Sequence, residues 1–333
     1  MLIPHILAQI ARPMRHLNRR NSWIEALVET PLSSQDEQLL RAACTESGGT
    51  KLGEYYYWYL QKLFVAKALR RGSRADFLSM LMRGDRTDYS SFDTLARTSK
   101  GLLIAIPHHA HYILSIIMLA ERIRHQRPTL LFYGDPETHP GNEVFDRLHS
   151  WFWNDENRVG FVHDTRKGLA TAIRNLKEGA AVFIMPDVFK DENATLAIPF
   201  CGRTLNIMLG TSVLARKTGA VIVPMISTPA SRGIGFKSVF APAIAPVASA
   251  SAPAGEHSLL ASDYRVMRGL FAFYEQHMHH QLIYWQNVRQ HIAQGATHVE
   301  IERGSVSQVA DLMMEDPELL APSAIIDIRQ AHD

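Results

Sequence analysis

The sequence predicts an α/β fold, a mainly parallel central sheet flanked by helices, entered through an all-helical N-terminal region. Three observations carry that reading. Short apolar runs recur without polar alternation, at GLLIAI (101–106), PTLLFYG (128–134), AAVFIMPD (180–187) and AVIVPMIS (220–227). Strands buried on both faces of a parallel sheet read this way. Amphipathic helical patterns separate the runs, so strand and helix alternate. Finally, Pro107, Gly134 and Pro186 punctuate the strand ends, since proline cannot donate to a ladder.

In chain order, residues 2–20 set Ile3, Ile6, Leu7, Ile10, Met14 and Leu17 on one helical face, with Arg12, Arg15, Arg19 and Arg20 off it. Such a basic amphipathic helix either docks on its own core or meets an anionic membrane or an acidic carrier. Residues 34–47 open a helix behind Ser33 and Ser34. Residues 54–71 form a second helix with an aromatic stripe, more often core than ligand box. Short helices follow in 74–97. Residues 1–97 are thus a helical preface to the α/β region at 98–296. After the first strand come a helix at 113–124, a strand at 128–134, a helix at 141–153 and a short strand, RVGFVH (158–163). A helix at 165–178 follows, with Leu169, Ile173 and Leu176 inward and Gly179 past its end. The strand at 180–187, a helix at 209–218 and the strand at 220–227 complete the alternation. FKSVFAPAIAP (236–246) reads as an edge strand, and VASASAPAGE (247–256) as a flexible loop. A long helix spans 262–292, and 297–333 is a tail.

Composition narrows the function. The chain has 333 residues, 46% apolar and 20% charged, with a net charge of +2. That is an ordinary globular composition, with too weak a charge and no motif for nucleic acid. Cys44 and Cys201 are the two cysteines. They form no disulfide framework or metal-ligand spacing, which points to a reducing compartment. With no secretory leader pattern and no uninterrupted apolar span, the expected location is cytoplasmic, with 2–20 as the route to a peripheral association with the inner membrane. Phosphate-binding glycine loops and a GxSxG elbow are missing from the sequence.

His108, just past the first strand, is the leading catalytic residue. An imidazole there can take a proton from a hydroxyl or amine near neutral pH, and the carboxyl end of a parallel strand is where α/β sheets place chemistry. His109 and His111 follow it. The three histidines, like His277, His279 and His280, lack a zinc spacing, so no metal is expected. Asp187, at another strand end, can orient a histidine, hold a substrate or cap a loop. Arg158 can hold an anion or a developing oxyanion, or form a surface ion pair.

Residues 176–226 carry Gly179, Pro186-Asp187, Pro199-Phe200 with Gly202, Leu214-Ala215-Arg216 with Thr218-Gly219-Ala220, and Val223-Pro224, in that order. With Arg158-Val159-Gly160 and IYWQNVRQ (283–290), this order resembles the bacterial lipid A biosynthesis acyltransferases of the lauroyl/myristoyl type, in the lysophospholipid acyltransferase superfamily. The resemblance covers about 100–292 and implies a glycerolipid-acyltransferase-like fold. It implies transfer of a fatty acyl group from acyl-carrier protein or acyl-CoA to a hydroxyl or amine, with no cofactor. His108 would be the general base. Arg158 and backbone N–H groups would stabilise the oxyanion, and Asp187 would orient His108 or the acceptor. The acyl chain would lie under the 54–71 aromatics. Substrate contacts are expected from His109, His111, Tyr112, Arg216, Phe200 and Gly202. The family's signature is His, four residues, then an acid, and here Ile113 takes the acid's place. Another carboxylate, Asp187 first among them, would replace it. Otherwise the acceptor needs only a lone base, or the protein binds acyl chains without turnover. The family's usual N-terminal membrane helix is not recognisable, which suggests a soluble or carrier-bound acceptor in a specialised-metabolite pathway.

Overall fold

Leu102–Ala105 (β1) occupies the middle of the sheet with all four side chains buried. An apolar run leaves only its backbone to be satisfied, and strands on both sides do that. The computed structural model describes residues 34–46, 52–98, 100–134, 151, 159–163, 165–188, 195–230, 235–245 and 256–293. The expectations for the helix at 2–20, for the helix at 141–153 apart from Trp151, for Arg158, for the loop at 247–255 and for the tail at 297–333 lie outside the described residues.

The preface is helical, with α1 Ser34–Glu46, α2 Leu52–Arg71, α3 Arg74–Gly84 and α4 Ser90–Ala96. Ser73 caps α3 by accepting the Asp76 N–H on its hydroxyl. Then come β1, α5 (Tyr112–Ile123), β2 (Thr129–Tyr133), β3 (Val159–His163), α6 (Arg166–Lys177) and β4 (Ala181–Ile184). After them lie β5 (Thr195–Phe200), β6 (Arg203–Met208), α7 (Gly210–Thr218), β7 (Val221–Pro229), β8 (Phe236–Phe240), α8 (Glu256–Met278) and α9 (Val288–Ala293). The main sheet runs β3-β2-β4-β1-β7-β8. The first five strands are mutually parallel, and β8 pairs antiparallel with β7. This is the expected mixed, mostly parallel α/β sheet.

Side chains alternate across β1. Leu103 and Ala105 join a cluster with α2, α8 and Trp285, while Leu102 and Ile104 join one with Phe77, Phe92 and the apolar face of α5. The Arg127 guanidinium links the preface to the sheet by donating to the carbonyls of Ala96, Thr98, Lys100 and Gly179.

Four features differ from the sequence reading. Residues 195–208 form a two-stranded antiparallel hairpin, β5–β6, which was not anticipated. Its turn holds Cys201 and Gly202 at φ 48° and 72°, so glycine fits the second position without strain. The long helix does not run to residue 292. It stops at Met278, and a 3-10 turn at Leu282–Tyr284 precedes α9. The loop ends one residue early, since Glu256 already starts α8. In α6, Leu169 points outward at 44% exposure, while Gly168, Ala172 and Leu176 face in. A Cβ on Gly168 would meet the His163 carbonyl oxygen at 1.9 Å, so the helix packs on β3 through a bare α-carbon.

Candidate active site

Strand register builds the site. Ala105 of β1 pairs with Ile184 of β4. His108 and Asp187 each lie three residues further on, so they leave neighbouring strands at the same level. Adjacent strands are about 4.8 Å apart, and the side chains close the gap. His108 Nδ1 lies 2.8 Å from Asp187 Oδ1. A carboxylate accepts, so Nδ1 carries the proton and the Nε2 lone pair is left for a substrate. The His108 side chain is 17% exposed and that of Asp187 1%. His108 is therefore reachable from solvent and Asp187 is not.

Asp187 is held from several directions. Its Oδ2 accepts the His108 backbone N–H at 2.9 Å and the Trp285 indole N–H at 2.7 Å. Asn287 donates its amide N–H to the Asp187 carbonyl at 2.9 Å. Burial works against the carboxylate's charge, but the attraction of His108 and the hydrogen bonds from His108 and Trp285 outweigh it, so its pKa falls below the ordinary value. Asp187 thus stays ionised although enclosed. The segment after α8 clamps the other strand end too. Gln286 N–H donates to the His108 carbonyl at 2.9 Å, and Ala110 N–H to the Tyr284 carbonyl at 2.9 Å. Ala110 adopts φ 49°, the sharp turn that lets α5 start so soon after His108.

The neighbouring histidines have a different place. His109 is fully buried. Its Nδ1 lies 2.7 Å from the Ser227 carbonyl and its Nε2 3.0 Å from the Gln281 carbonyl. His111 is buried, with Nε2 2.7 Å from Gln61 Oε1. Burial lowers the pKa of both, that of His111 to about 3 with help from Lys62 and His109. Both rings are enclosed by the fold, His109 between two backbone carbonyls and His111 against Gln61, so neither has the access to solvent that His108 has. Tyr112 does stand at the site, its ring edge-on to His108 at 4.9 Å between centroids. Burial and then the Asp187 charge push its phenol up, so it remains a proton donor.

The other expected contacts separate. Arg216 forms a two-pronged ion pair with Asp263 at 3.1 and 2.7 Å, joining α7 to α8. Phe200 is buried edge-to-face between Phe271 and Trp285. Gly202 is exposed at the turn of the β5–β6 hairpin. These three shape the scaffold, because each is committed to packing or turn geometry. The aromatics of α2 are core as well. Tyr55, Tyr57 and Trp58 are buried, and Trp58 meets Tyr284 edge-on at 5.8 Å. Among the described residues no group of three or more His, Cys, Asp and Glu is arranged to hold a metal ion. None of their helices is long and apolar enough to cross a membrane.

A model of the bacterial lipid A biosynthesis acyltransferase family matches residues 65–281. The chain belongs to that family. No curated protein was found to match it. The matched segment contains both His108 and Asp187. Ile113 packs against the apolar cluster built on Leu102 and Ile104, whereas Trp285, which bonds Asp187, belongs to the other cluster. Trp285 and Asn287 received no role in the sequence reading. Their signal was the resemblance of IYWQNVRQ to the family's closing segment, but only the fold shows that both hold Asp187, Trp285 at its carboxylate and Asn287 at its main-chain carbonyl.

Proposed function

We propose that this protein moves a fatty acyl group from an acyl-carrier protein or acyl-CoA thioester to a hydroxyl or amine acceptor, with His108 as general base and Asp187 as its orienting acid. The observation behind this reading is the 2.8 Å Nδ1–Oδ1 contact, which fixes the tautomer a base needs. His108 Nε2 takes the acceptor's proton as the acceptor oxygen or nitrogen bonds to the thioester carbonyl carbon. The tetrahedral intermediate then collapses, the carbon–sulfur bond breaks, and the imidazolium returns the proton to the leaving thiolate. Asp187 offsets the imidazolium charge in between. The first turn of α5 has no side-chain cap, so its N–H groups suit a developing oxyanion, each well-placed donor contributing about 3 kcal/mol. Arg158 is the further candidate for that role.

The second reading is a protein that binds acyl chains without turnover, motivated by Ile113. Asp187 favours the enzyme, since it supplies a carboxylate where the imidazole needs one. The acceptor is proposed to be soluble or carrier-bound, in a specialised-metabolite pathway, with residues 2–20 meeting an acidic carrier or an anionic membrane. The test is thiol release from acyl-CoA and from acyl-carrier protein in the presence of hydroxyl and amine acceptors. Sustained multiple turnover that depends on His108 supports transfer, and a retained acyl ligand without thiol release supports binding alone.

A further inference from the structure

Helix α6 carries Arg166, Lys167, Arg174 and Lys177 and no acidic residue, and all four cations are exposed. With about 3.6 residues per turn, they fall on the side opposite Gly168, Ala172 and Leu176, which face in. Among the described residues none of the four has an ion-pair partner, and Glu178, which closes the helix, pairs with none of them. The pair in the last turn suits the helix dipole. Arg166 and Lys167 sit in the first turn, at its positive end, where cations are unfavourable. Arg174 and Lys177, three positions apart, repel each other. A surface that breaks local rules without compensation inside the fold suits a partner of opposite charge.

The direction of α6 ties this face to the site. The helix begins just past the carboxyl end of β3 and returns to the other edge of the sheet, where a Cβ on Gly101, at the start of β1, would meet the Leu176 carbonyl oxygen at 2.2 Å. Its first turn therefore stands at the edge from which His108 and Asp187 project. β3 is two strands from β4, about 10 Å. The outward face of α6 looks away from the flat of the sheet, beside that edge and not across it. A bilayer lying on this face would leave the edge uncovered. The face also lacks the aromatic and aliphatic side chains that insert into lipid, with Leu169 exposed only on its flank. A carrier protein differs, since it holds its acyl group on a flexible arm that can turn the corner.

We propose that the outward face of α6 docks an acidic protein, the carrier that delivers the acyl thioester. Arg166 and Lys167 lie nearest the site, and Arg174 and Lys177 extend the contact along the helix. The partner's role as donor rests on the acyl-transfer reading, whereas its binding does not.

Calorimetric titration with an acidic bacterial acyl-carrier protein, at low and high salt, tests it. The proteins are the wild type, Arg166→Glu with Lys167→Glu, Arg174→Glu with Lys177→Glu and, as a control with the same change in net charge, Arg83→Glu with Arg86→Glu. Both α6 variants are expected to weaken carrier binding by about tenfold at low salt and less at high salt, and the control to bind as the wild type does. In thiol release the α6 variants should raise KM for the acyl-carrier thioester and leave acyl-CoA kinetics unchanged. A wild type that does not bind the carrier, or α6 variants that are folded and bind it normally, overturns the surface. A loss that follows Arg15→Glu with Arg19→Glu instead moves docking to the N-terminal segment, away from α6. Lost affinity for phosphatidylglycerol vesicles with carrier affinity intact makes α6 a lipid surface, which also overturns the proposal. Carrier binding through α6 without thiol release from either donor keeps the surface and removes the transfer reading. Thiol release with normal carrier binding by the α6 variants does the reverse.

Discussion

Two parts of one short loop use the same side chain in opposite ways. His108 keeps part of its ring exposed and faces a carboxylate. His109 and His111, one and three residues later, are enclosed and face neutral oxygens, from the Ser227 and Gln281 carbonyls and the Gln61 amide. An imidazole beside an ionised partner can accept a proton from a substrate, whereas one surrounded by dipoles in the interior loses its charge. Residue type alone does not separate a base from a strut. The partner and its access to solvent do.

The largest expected effect falls on His108, the proposed base. His108→Ala should lower thiol release by about four orders of magnitude, the upper end of general-base catalysis, with little change in melting temperature because the ring is partly exposed. Turnover close to wild type would move the base elsewhere. Asp187→Asn comes next, at about 10²- to 10⁴-fold. An asparagine can turn its amide toward Nδ1, leaving the ring without a fixed tautomer, and it carries no charge to balance the imidazolium. Adding Ile113→Asp to Asp187→Asn should not restore the rate, since position 113 packs against apolar side chains. A recovered rate in that double variant would show that the helix position can still serve as the motif acid.

Much of the fold was readable because burial on both faces leaves an apolar run, and Leu102–Ala105 and Ala181–Ile184 are of that kind. The β5–β6 hairpin was not, because Pro199 falls within TLAIPF, RTLNIM is of mixed polarity, and no two-residue turn signal of the Asn-Gly kind joins them. The 262–292 segment carries no proline or glycine after Gly269, so nothing local marks the break at Met278. His108 and Asp187 were each visible as strand-end residues. Their meeting depends on β4 lying next to β1, a pairing across 79 residues that local pattern cannot supply. The roles of His109, Phe200 and Arg216 were lost for the same reason, since their partners are distant in the chain.

Trp285→Phe gives a smaller effect that sharpens the comparison. It keeps the apolar body against Phe200 and removes one donor from the Asp187 carboxylate. Loss of a hydrogen bond to a charged group costs about 1.5–3 kcal/mol, so turnover should drop roughly ten- to a hundredfold while KM for the thioester changes little. A change in KM alone would place the indole at the substrate and not behind Asp187.

The smallest effect concerns the struts and is read in stability against pH. The His111 pKa falls from an ordinary value of 6.5 in the unfolded chain to about 3 in the folded one. Above pH 6.5 both states are neutral and the residue adds no pH dependence. As pH falls below 6.5 the unfolded chain takes up a proton that the folded chain refuses, so stability declines down to about pH 3, where the folded ring titrates too. His111→Gln keeps an N–H toward Gln61 without the titration. It should cost about 1 kcal/mol at pH 7 and flatten the loss of stability between pH 6.5 and 4, as read by urea denaturation. Asp187, with its lowered pKa, acts in the same direction at lower pH, its contribution lost only as pH falls below the ordinary carboxylate range. The two are separable because His111 governs the first part of the decline and Asp187 the last. If His111→Gln leaves the slope between pH 6.5 and 4 unchanged, the ring is protonated in the folded protein, and the division between a charged-partner histidine and a neutral strut fails at its simplest point.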